Sequence, residues 1–345
     1  MSGSGGRLRF LKQTFRVFAS LLVTIVGLTA VTFSIGRFIP VDPVLAIVGD
    51  HASKSTYDRV RLEIGLDRSV PEQYFLYLKK VLSGDFGHSV MTSNPVLQDL
   101  AHFFPATLEL ATIATLIGVA AGVPAGVAAG ALKGRWPDHI VRFLGLFGYS
   151  MPIFWLGLVG LWLFYGKLGW VGGPGRIDVG YDDLVTTRTG LLLVDSAIER
   201  NWDVFLNALS HLVLPAALLG YISLAYIARM TRSFIIDQLG QEYIVAARVK
   251  GCSFWGAVWR HAFPNVLVPL ITVIGLSYAS LLEGAVLTET VFAWPGLGLY
   301  ITRSLFNADM NAVLGGTLVV GAVFIGINAM SDLLYRIVDP RLREA

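Results

Sequence analysis

Four acidic side chains lie at or near the ends of long apolar stretches, where an unpaired charge is costly. They are Glu109, Glu283, Glu289 and Asp332, and Glu283 is the deepest of them. A charge at the centre of a bilayer costs roughly 2.5–3.5 kcal/mol on insertion scales. Together with His211, such acids would suit a proton relay in a secondary transporter. The alternative is that the acids are paired or interfacial and that His211 is a hydrogen-bonded packing residue.

Signatures of other chemistry are missing from the sequence. It contains no G-x-x-x-x-G-K-[ST] phosphate loop, no G-x-S-x-G and no H-E-x-x-H. The single cysteine, Cys252, excludes a disulfide framework and a Cys-cluster metal site. Ser150 has no nearby base and is interpreted as a small polar residue before a helix bend. We therefore predict no catalytic residue, no bound metal and no cofactor in this chain, which disfavours an intramembrane enzyme.

The composition indicates a membrane protein. Of the 345 residues, 54% are apolar and 15% are charged, whereas soluble domains average about 45–50% apolar and about 25% charged. A soluble globular enzyme and a disordered chain are both excluded. Because backbone groups in lipid must be satisfied within a segment, the spans must be helices. The fold class is therefore all-α and polytopic, with six predicted spans at 18–36, 110–132, 143–166, 204–228, 262–282 and 310–331.

The distribution of charge predicts the orientation. With six spans, one side of the membrane receives the segments 1–16, 132–142, 229–265 and 336–345. These segments carry a net charge of +10, and the rest of the chain carries −7. Lys and Arg are enriched in cytoplasmic segments. Both termini are therefore expected to be cytoplasmic, and the chain to be a multi-pass protein of a bacterial inner membrane.

The predicted organisation contains one large external region. Residues 40–104 mix charges with aromatic residues and include an amphipathic helix that begins near Pro71 and presents Tyr74, Leu78 and Val81 on one face. We expect this region to fold as an external cap between the first two spans. The predicted divisions are 1–39 (cytoplasmic N-terminus and first span), 40–104 (cap), 105–337 (core with five spans) and 338–345 (cytoplasmic tail).

A glycine stripe marks the second span. Gly118, Gly122, Gly126 and Gly130 recur every four residues, so they line one side of a helix. Glycine allows another backbone to approach closely. The stripe is interpreted as a helix-packing surface, with a sliding surface or pore lining as the alternative.

The segment 241–265, here called the elbow, has the most specific local pattern. Residues 242–250 suit a short helix with Glu242 in the first turn and Arg248 and Lys250 in the last, which complements the helix dipole. Gly251 follows as a residue of positive φ.

A second short helix is expected to follow Gly251 and to stop at Pro264. Aromatic side chains, including Tyr243 and Trp255, would then be exposed among basic residues, which is typical of protein interfaces. The alternative is an amphipathic helix lying flat on the membrane surface.

The elbow resembles the "EAA" loop of ABC-importer permeases, whose pattern is E-A-A, three residues, Gly, nine residues, then I-x-L-P. Ala246, Ala247, Gly251 and Pro264 match at the family's spacing, whereas Val245 replaces the Glu. His261 and Phe263 replace the Ile and Leu.

The chain from about residue 10 onward is similar to the dipeptide/oligopeptide branch of these permeases. The similar stretches are I-P-V-D-P-V (39–44), G-D-F-G-H-S (84–89), A-T-L-E-L (106–110), G-Y-S-M-P-I-F-W (148–155), H-L-V-L-P (211–215), R-M-T-R-S (229–233), L-T-E-T-V-F-A-W-P-G-L-G (287–298) and D-L-L-Y-R-I-V-D-P-R (332–341). Residues 307–310, N-A-D-M, depart from the branch's usual R-D-Y-P.

This resemblance implies a type I ABC-importer permease fold and alternating access for di- or oligopeptides. It also implies a second permease subunit, two cytoplasmic ATP-binding subunits that carry ATP and magnesium, and an external substrate-binding protein, without a nucleic acid partner. The cap is then expected to meet the binding protein, and the elbow to be the ATPase-coupling loop. The translocation path is expected to include Ser150, Met151, Ser277, Ser280 and Glu283. Nickel or glutathione permeases of the same branch, and a proton-coupled secondary transporter, remain the alternatives.

Overall fold

A computed structural model describes residues 23–36, 43–49, 51–63, 65–181 and 184–338. Within these residues the chain is helical, without a β-strand; an isolated bridge pairs His88 with Pro95. The whole predicted cytoplasmic segment 1–16, the first residues of the predicted first span, the start of the cap and the tail from residue 339 lie outside the described residues.

Fourteen α-helices, numbered in chain order, account for most of the described residues. They are α1 (Val23–Gly36), α2 (Pro43–Val48), α3 (Lys54–Glu63), α4 (Val70–Leu82), α5 (Val96–Ala131), α6 (Trp136–Ser150), α7 (Ile153–Gly160), α8 (Leu192–Ile198), α9 (Trp202–Leu239), α10 (Glu242–Val249), α11 (Phe254–Gly256), α12 (Phe263–Val291), α13 (Leu297–Phe306) and α14 (Met310–Val338). A π-helical segment, Leu161–Lys167, continues α7, and a second one, Ala257–Ala262, joins α11 to α12.

Four continuous helical segments of the described chain are long and apolar enough to cross a bilayer. They are Val96–Ala131, Trp202–Leu239, Phe254–Val291 and Met310–Met330. The bent pair of α6 and α7 makes a fifth if it counts as one span, and α1 is a shorter apolar helix within the described residues. The all-helical membrane fold is confirmed, whereas the count of six spans is not.

The predicted third span, 143–166, is interrupted by a sharp bend. Trp136–Gly148 and Ile153–Lys167 meet at an angle of 95°. Met151 adopts an extended conformation (φ −95°, ψ 130°) and Pro152 caps the start of α7. Proline disfavours helical geometry in the residue before it, so the helix breaks at Met151. Ser150 was interpreted as a residue before a helix bend, and it does precede this one.

The described chain divides into two compact units. The first contains residues 1–101 and 300–325, and the second contains residues 102–299 and 326–345.

In the first unit, the amphipathic helix α4 packs against α1. The Tyr74 hydroxyl lies 3.1 Å from Thr29 Oγ1, and the Tyr77 hydroxyl lies 3.2 Å from Thr32 Oγ1. Phe33 contacts both tyrosine rings. Burial of the Tyr77 ring raises the pKa of its hydroxyl. Tyr74 and Tyr77 of α4 therefore face α1, whereas Phe75 and Leu82 of the same helix are exposed.

Residues 307–310, where this chain has N-A-D-M instead of the R-D-Y-P that is usual in the peptide-permease branch, also lie in this unit. Asp309 is fully buried and accepts hydrogen bonds from the Ser89 hydroxyl and from the Met91 backbone amide, the latter at 3.2 Å. It also accepts from the Ala312 amide and so caps α14. In this chain, Asp309 fixes the G-D-F-G-H-S loop to the start of α14.

The second unit is organised by contacts of α9 with α5 and α12. A buried cluster contains Val127, Ile227, Ile235, Val266 and Leu270. The glycine stripe of α5 lies directly against α9. A Cβ on Gly118 would lie 2.6 Å from Ser223 Cβ, and one on Gly126 would lie 2.6 Å from the Ala228 carbonyl oxygen. The backbones approach closely because the glycines carry no side chain.

Candidate functional site

The elbow has the helix–glycine–helix geometry that its sequence predicts. The first helix, α10, has Glu242 in its first turn and Arg248 in its last. Gly251 follows with φ +89°, and its amide donates to the Arg248 carbonyl oxygen at 3.0 Å. Ser253 then caps the next helix, because its hydroxyl oxygen accepts from the Gly256 amide at 3.1 Å. Positive φ is unfavourable for residues with a side chain, so glycine suits this turn.

The predicted stop at Pro264 was wrong. The segment turns from α11 through the π-helical Ala257–Ala262 into α12 without a break. Pro264 lies just after the π-helical segment within this continuous helix, where its missing amide leaves one helical hydrogen bond unmade. The second arm of the elbow is therefore the beginning of a spanning helix.

The outer side of the elbow is apolar and exposed. Val245 and Val249 are 58% and 83% exposed, and Trp255 and Trp259 are each 46% exposed. Ala246 and Lys250 are also exposed, and Ala247 is half-buried. Large exposed apolar side chains interspersed with basic residues are typical of an interaction surface.

The inner side of the elbow is a small core. Ile244, Ala257 and Ala262 are buried together, with Leu239 and Cys252 packed against them. This core ties α10 to the end of α9 and to the start of α12.

The Arg248 side chain makes two of its contacts within the elbow itself. Its guanidinium donates to the Cys252 carbonyl oxygen at 2.9 Å and lies 5.9 Å from the centre of the Phe254 ring. Lys250, one residue before the glycine, is exposed. Lys250 is therefore the better placed of the two cations to reach another protein.

The structure separates the predicted path residues of α12 into two faces. Ser277 is buried, and its hydroxyl lies 2.9 Å from that of Ser223 on α9. Ser280 and Glu283 lie on an exposed face, which also carries Leu276 and Leu287. A charged side chain in a spanning helix is expected to face water or protein rather than lipid.

The two predicted path residues near the bend of α6 and α7 are Ser150 and Met151. The Ser150 hydroxyl is exposed and donates to the Leu146 carbonyl oxygen at 2.8 Å, and Met151 is half-buried.

Two of the four acids, Glu109 and Glu289, form ion pairs or hydrogen bonds within the chain. Glu109 pairs with Arg176 at 2.6 Å and accepts from the Leu193 amide at 2.8 Å. Glu289 is completely buried and accepts from the Thr107 hydroxyl at 2.6 Å and from the Leu299 amide at 2.9 Å. These contacts favour the structural interpretation over a proton relay.

The other proposed relay groups differ in their surroundings. His211 is buried, and its Nε2 lies 3.3 Å from Asp178 Oδ1, without hydrogen-bond geometry. The side chain of Asp332 lies outside the described residues.

Sequence reasoning did not identify a buried ion pair between α9 and the start of α6. Arg232 on α9 makes two hydrogen bonds to the Asp138 carboxylate at the start of α6, one of them at 2.9 Å. Asp138 is 1% exposed and also accepts from the Gly134 amide at 2.9 Å. Both residues lie in segments that the charge distribution predicts to be cytoplasmic, and Arg232 is the second Arg of the R-M-T-R-S stretch.

Two family descriptions match the chain and together span most of it. Residues 122–344 match "Binding-protein-dependent transport system inner membrane component", and residues 7–111 match the N-terminal region of the same membrane components.

Individual relatives are similar to this chain over nearly its whole length. The chain is 43% identical to the probable D,D-dipeptide transport system permease protein DdpB of Escherichia coli strain K12, over 93% of this chain and 94% of that one. It is 38% identical to the dipeptide transport system permease protein DppB of Alkalihalophilus pseudofirmus, over 96% and 99%. It is 40% identical to the di/tripeptide permease DppB of Pseudomonas aeruginosa, over 94% and 96%.

Among solved structures, an inward-facing MetNI methionine ABC transporter chain aligns with a TM-score of 0.49 and 17% identity, over 68% of this chain and 93% of that one. The matches to the family and to its near-full-length relatives lead to one conclusion. The chain belongs to the family of binding-protein-dependent transport system inner membrane components, the permease subunits of ABC importers.

Proposed function

We propose that this permease forms half of a translocation path for dipeptides and short oligopeptides, and that its elbow docks on an ATP-binding subunit. The observation that carries the proposal is the geometry of the elbow. It presents an exposed apolar surface on one side, and its inner core joins two long spanning helices. A displacement of the elbow would therefore act directly on α9 and α12.

The substrate class rests on the relatives. Their names specify D,D-dipeptides, dipeptides, and di- or tripeptides. Nickel and glutathione permeases of the same branch remain the competing assignments. Among the described residues, no group of three His, Cys, Asp or Glu side chains could hold a metal ion.

The proposal includes the family's usual assembly. A second permease subunit, two cytoplasmic ATP-binding subunits and an external binding protein would complete the importer, and ATP with magnesium would bind to the ATP-binding subunits. Both termini of this chain would then be cytoplasmic. The exposed side of the cap, with Phe75 and Leu82, would meet the binding protein, because α1 already covers Tyr74 and Tyr77 of α4.

The path would run along the exposed face of α12. Ser280 and Glu283 share that face, and a carboxylate there would be solvated in a water-filled path or paired across the permease dimer. Ser150 and Met151 would contribute from the bend between α6 and α7.

The substrate assignment predicts selective stimulation of ATP hydrolysis. The five-component complex, reconstituted in liposomes, should hydrolyse ATP faster when the binding protein is loaded with an L,L- or a D,D-dipeptide. Ser280→Trp should lower this stimulated rate, because the indole would fill the proposed path.

Stimulation by nickel or glutathione but by neither peptide would contradict the peptide assignment. Uptake driven by a pH gradient without ATP would contradict the importer mechanism itself.

A further inference from the structure

The Tyr243 hydroxyl lies at the junction of three helices. It donates to Gln238 Oε1 at the end of α9 at 2.7 Å. It also accepts a hydrogen bond from Asn265 Nδ2 in the first turn of α12 at 3.0 Å. One oxygen on α10 is thus bonded to both spanning helices that flank the elbow.

Asn265 extends this connection into the π-helical segment. Its Nδ2 also donates to the His261 carbonyl oxygen at 3.0 Å. Single π-turns inside helices occur frequently at functional sites. The Tyr243–Asn265 hydrogen bond therefore restrains the segment in which the elbow continues into α12.

The apolar core of the elbow gives little additional orientation. Two of its three buried members, Ala257 and Ala262, are alanines, and Ile244 is the only large one. Small side chains bury little area and interdigitate weakly. Hydrogen bonds are directional, so the bonds of Tyr243 constrain the angle of α10 in addition to this core.

We propose that Tyr243 is the positioning residue that locks the elbow to α9 and α12, so that both helices move when the ATP-binding subunit moves the elbow. The proposal rests on the elbow's function as the coupling loop. Tyr243 then acts through Gln238 and Asn265. Its ring is 39% exposed, so removing the hydroxyl leaves no buried cavity.

The test is Tyr243→Phe in the reconstituted importer, with transport and ATP hydrolysis measured together. The ATP-binding subunits should co-purify as they do with the unaltered chain. The number of peptides transported per ATP should fall at least about fivefold. That factor corresponds to the net free energy of one ordinary hydrogen bond, and the substitution removes two.

A second readout follows the elbow itself. In a Cys252→Ala background, a spin label on Val249→Cys should become more mobile when Tyr243→Phe is added. Tyr181→Phe is the matched control, because it removes the same hydroxyl from the loop between α7 and α8. It should change neither the transport ratio nor the label.

The partners provide an internal check. Asn265→Leu should lower the transport ratio in the same direction as Tyr243→Phe. The loss in the double variant should be smaller than the sum of the two single losses, because both changes remove the Tyr243–Asn265 bond.

An unchanged transport ratio and an unchanged spin label in Tyr243→Phe would overturn the inference. So would a loss of co-purification, because Tyr243 would then be a docking residue. If the unaltered importer shows no peptide-stimulated hydrolysis, the proposed function fails instead, and the spin label still decides whether Tyr243 fixes the elbow.

Discussion

Replacing Arg232 by methionine should destabilise the permease more than any other single change considered for this chain. The substitution leaves the Asp138 carboxylate 1% exposed, with the Gly134 amide and the charge of Arg142 as its remaining stabilisation. Removing one partner of a buried ion pair typically costs about 3–5 kcal/mol, because the other charge stays buried without compensation. The measurement is the free energy of unfolding of the purified chain, from a reversible SDS titration.

Two further variants isolate the buried charge as the cause. Arg188→Met is the matched control, because it breaks an exposed ion pair. In that pair Arg188 Nε lies 3.8 Å from Glu199 Oε1, and the Arg188 side chain is 60% exposed. Exposed pairs contribute about 0–1 kcal/mol. The double variant Arg232→Met, Asp138→Asn should recover part of the loss. A loss for Arg232→Met no larger than that of the control would contradict the importance of this pair.

Gly126→Ala should also destabilise the chain, although alanine is the better helix former. Its Cβ would lie 2.6 Å from both the Ala228 carbonyl oxygen and Thr231 Cβ. A backbone oxygen cannot move aside without separating α5 from α9, and such overpacking typically costs about 1–3 kcal/mol. The same SDS titration measures this loss.

Gly145→Ala on α6 is the control for Gly126→Ala. It introduces the same helix-favouring alanine at a position where the new methyl group meets no neighbour. A Cβ at this position has no neighbour within 4 Å. The substitution should therefore leave stability unchanged or raise it by up to about 1 kcal/mol. Equal effects of the two substitutions would refute close packing at the glycine stripe.

Local patterns were enough to predict part of this structure. The glycine stripe was interpreted as a packing surface, and it lies against α9. Gly251 was expected to have positive φ, and it does. Both features depend on residues close together in the sequence, where helix periodicity and capping preferences act directly.

Contacts between distant segments were not predictable in the same way. The orientation of Ser277 towards Ser223 depends on how α12 is rotated against α9, and hydropathy does not specify that rotation. The partner of Arg232 lies 94 residues away. The hydrogen bond that Asn265 donates to Tyr243 lies just after a π-helical stretch, for which no sequence signal was apparent.

The central claim is that the elbow meets an ATP-binding subunit, and site-directed cross-linking tests it directly. Val249 is 83% exposed at the end of α10. In a Cys252→Ala background, Val249→Cys should cross-link to an ATP-binding subunit of the assembled importer, in a yield that changes when ATP is added. Val179→Cys is the control, because Val179 is 87% exposed on the loop between α7 and α8. The cysteine at this position should react with a membrane-impermeant thiol reagent added on the external side. It should not cross-link to an ATP-binding subunit. Cross-linking at position 179 but not at position 249 would contradict both the docking surface and the orientation of the chain.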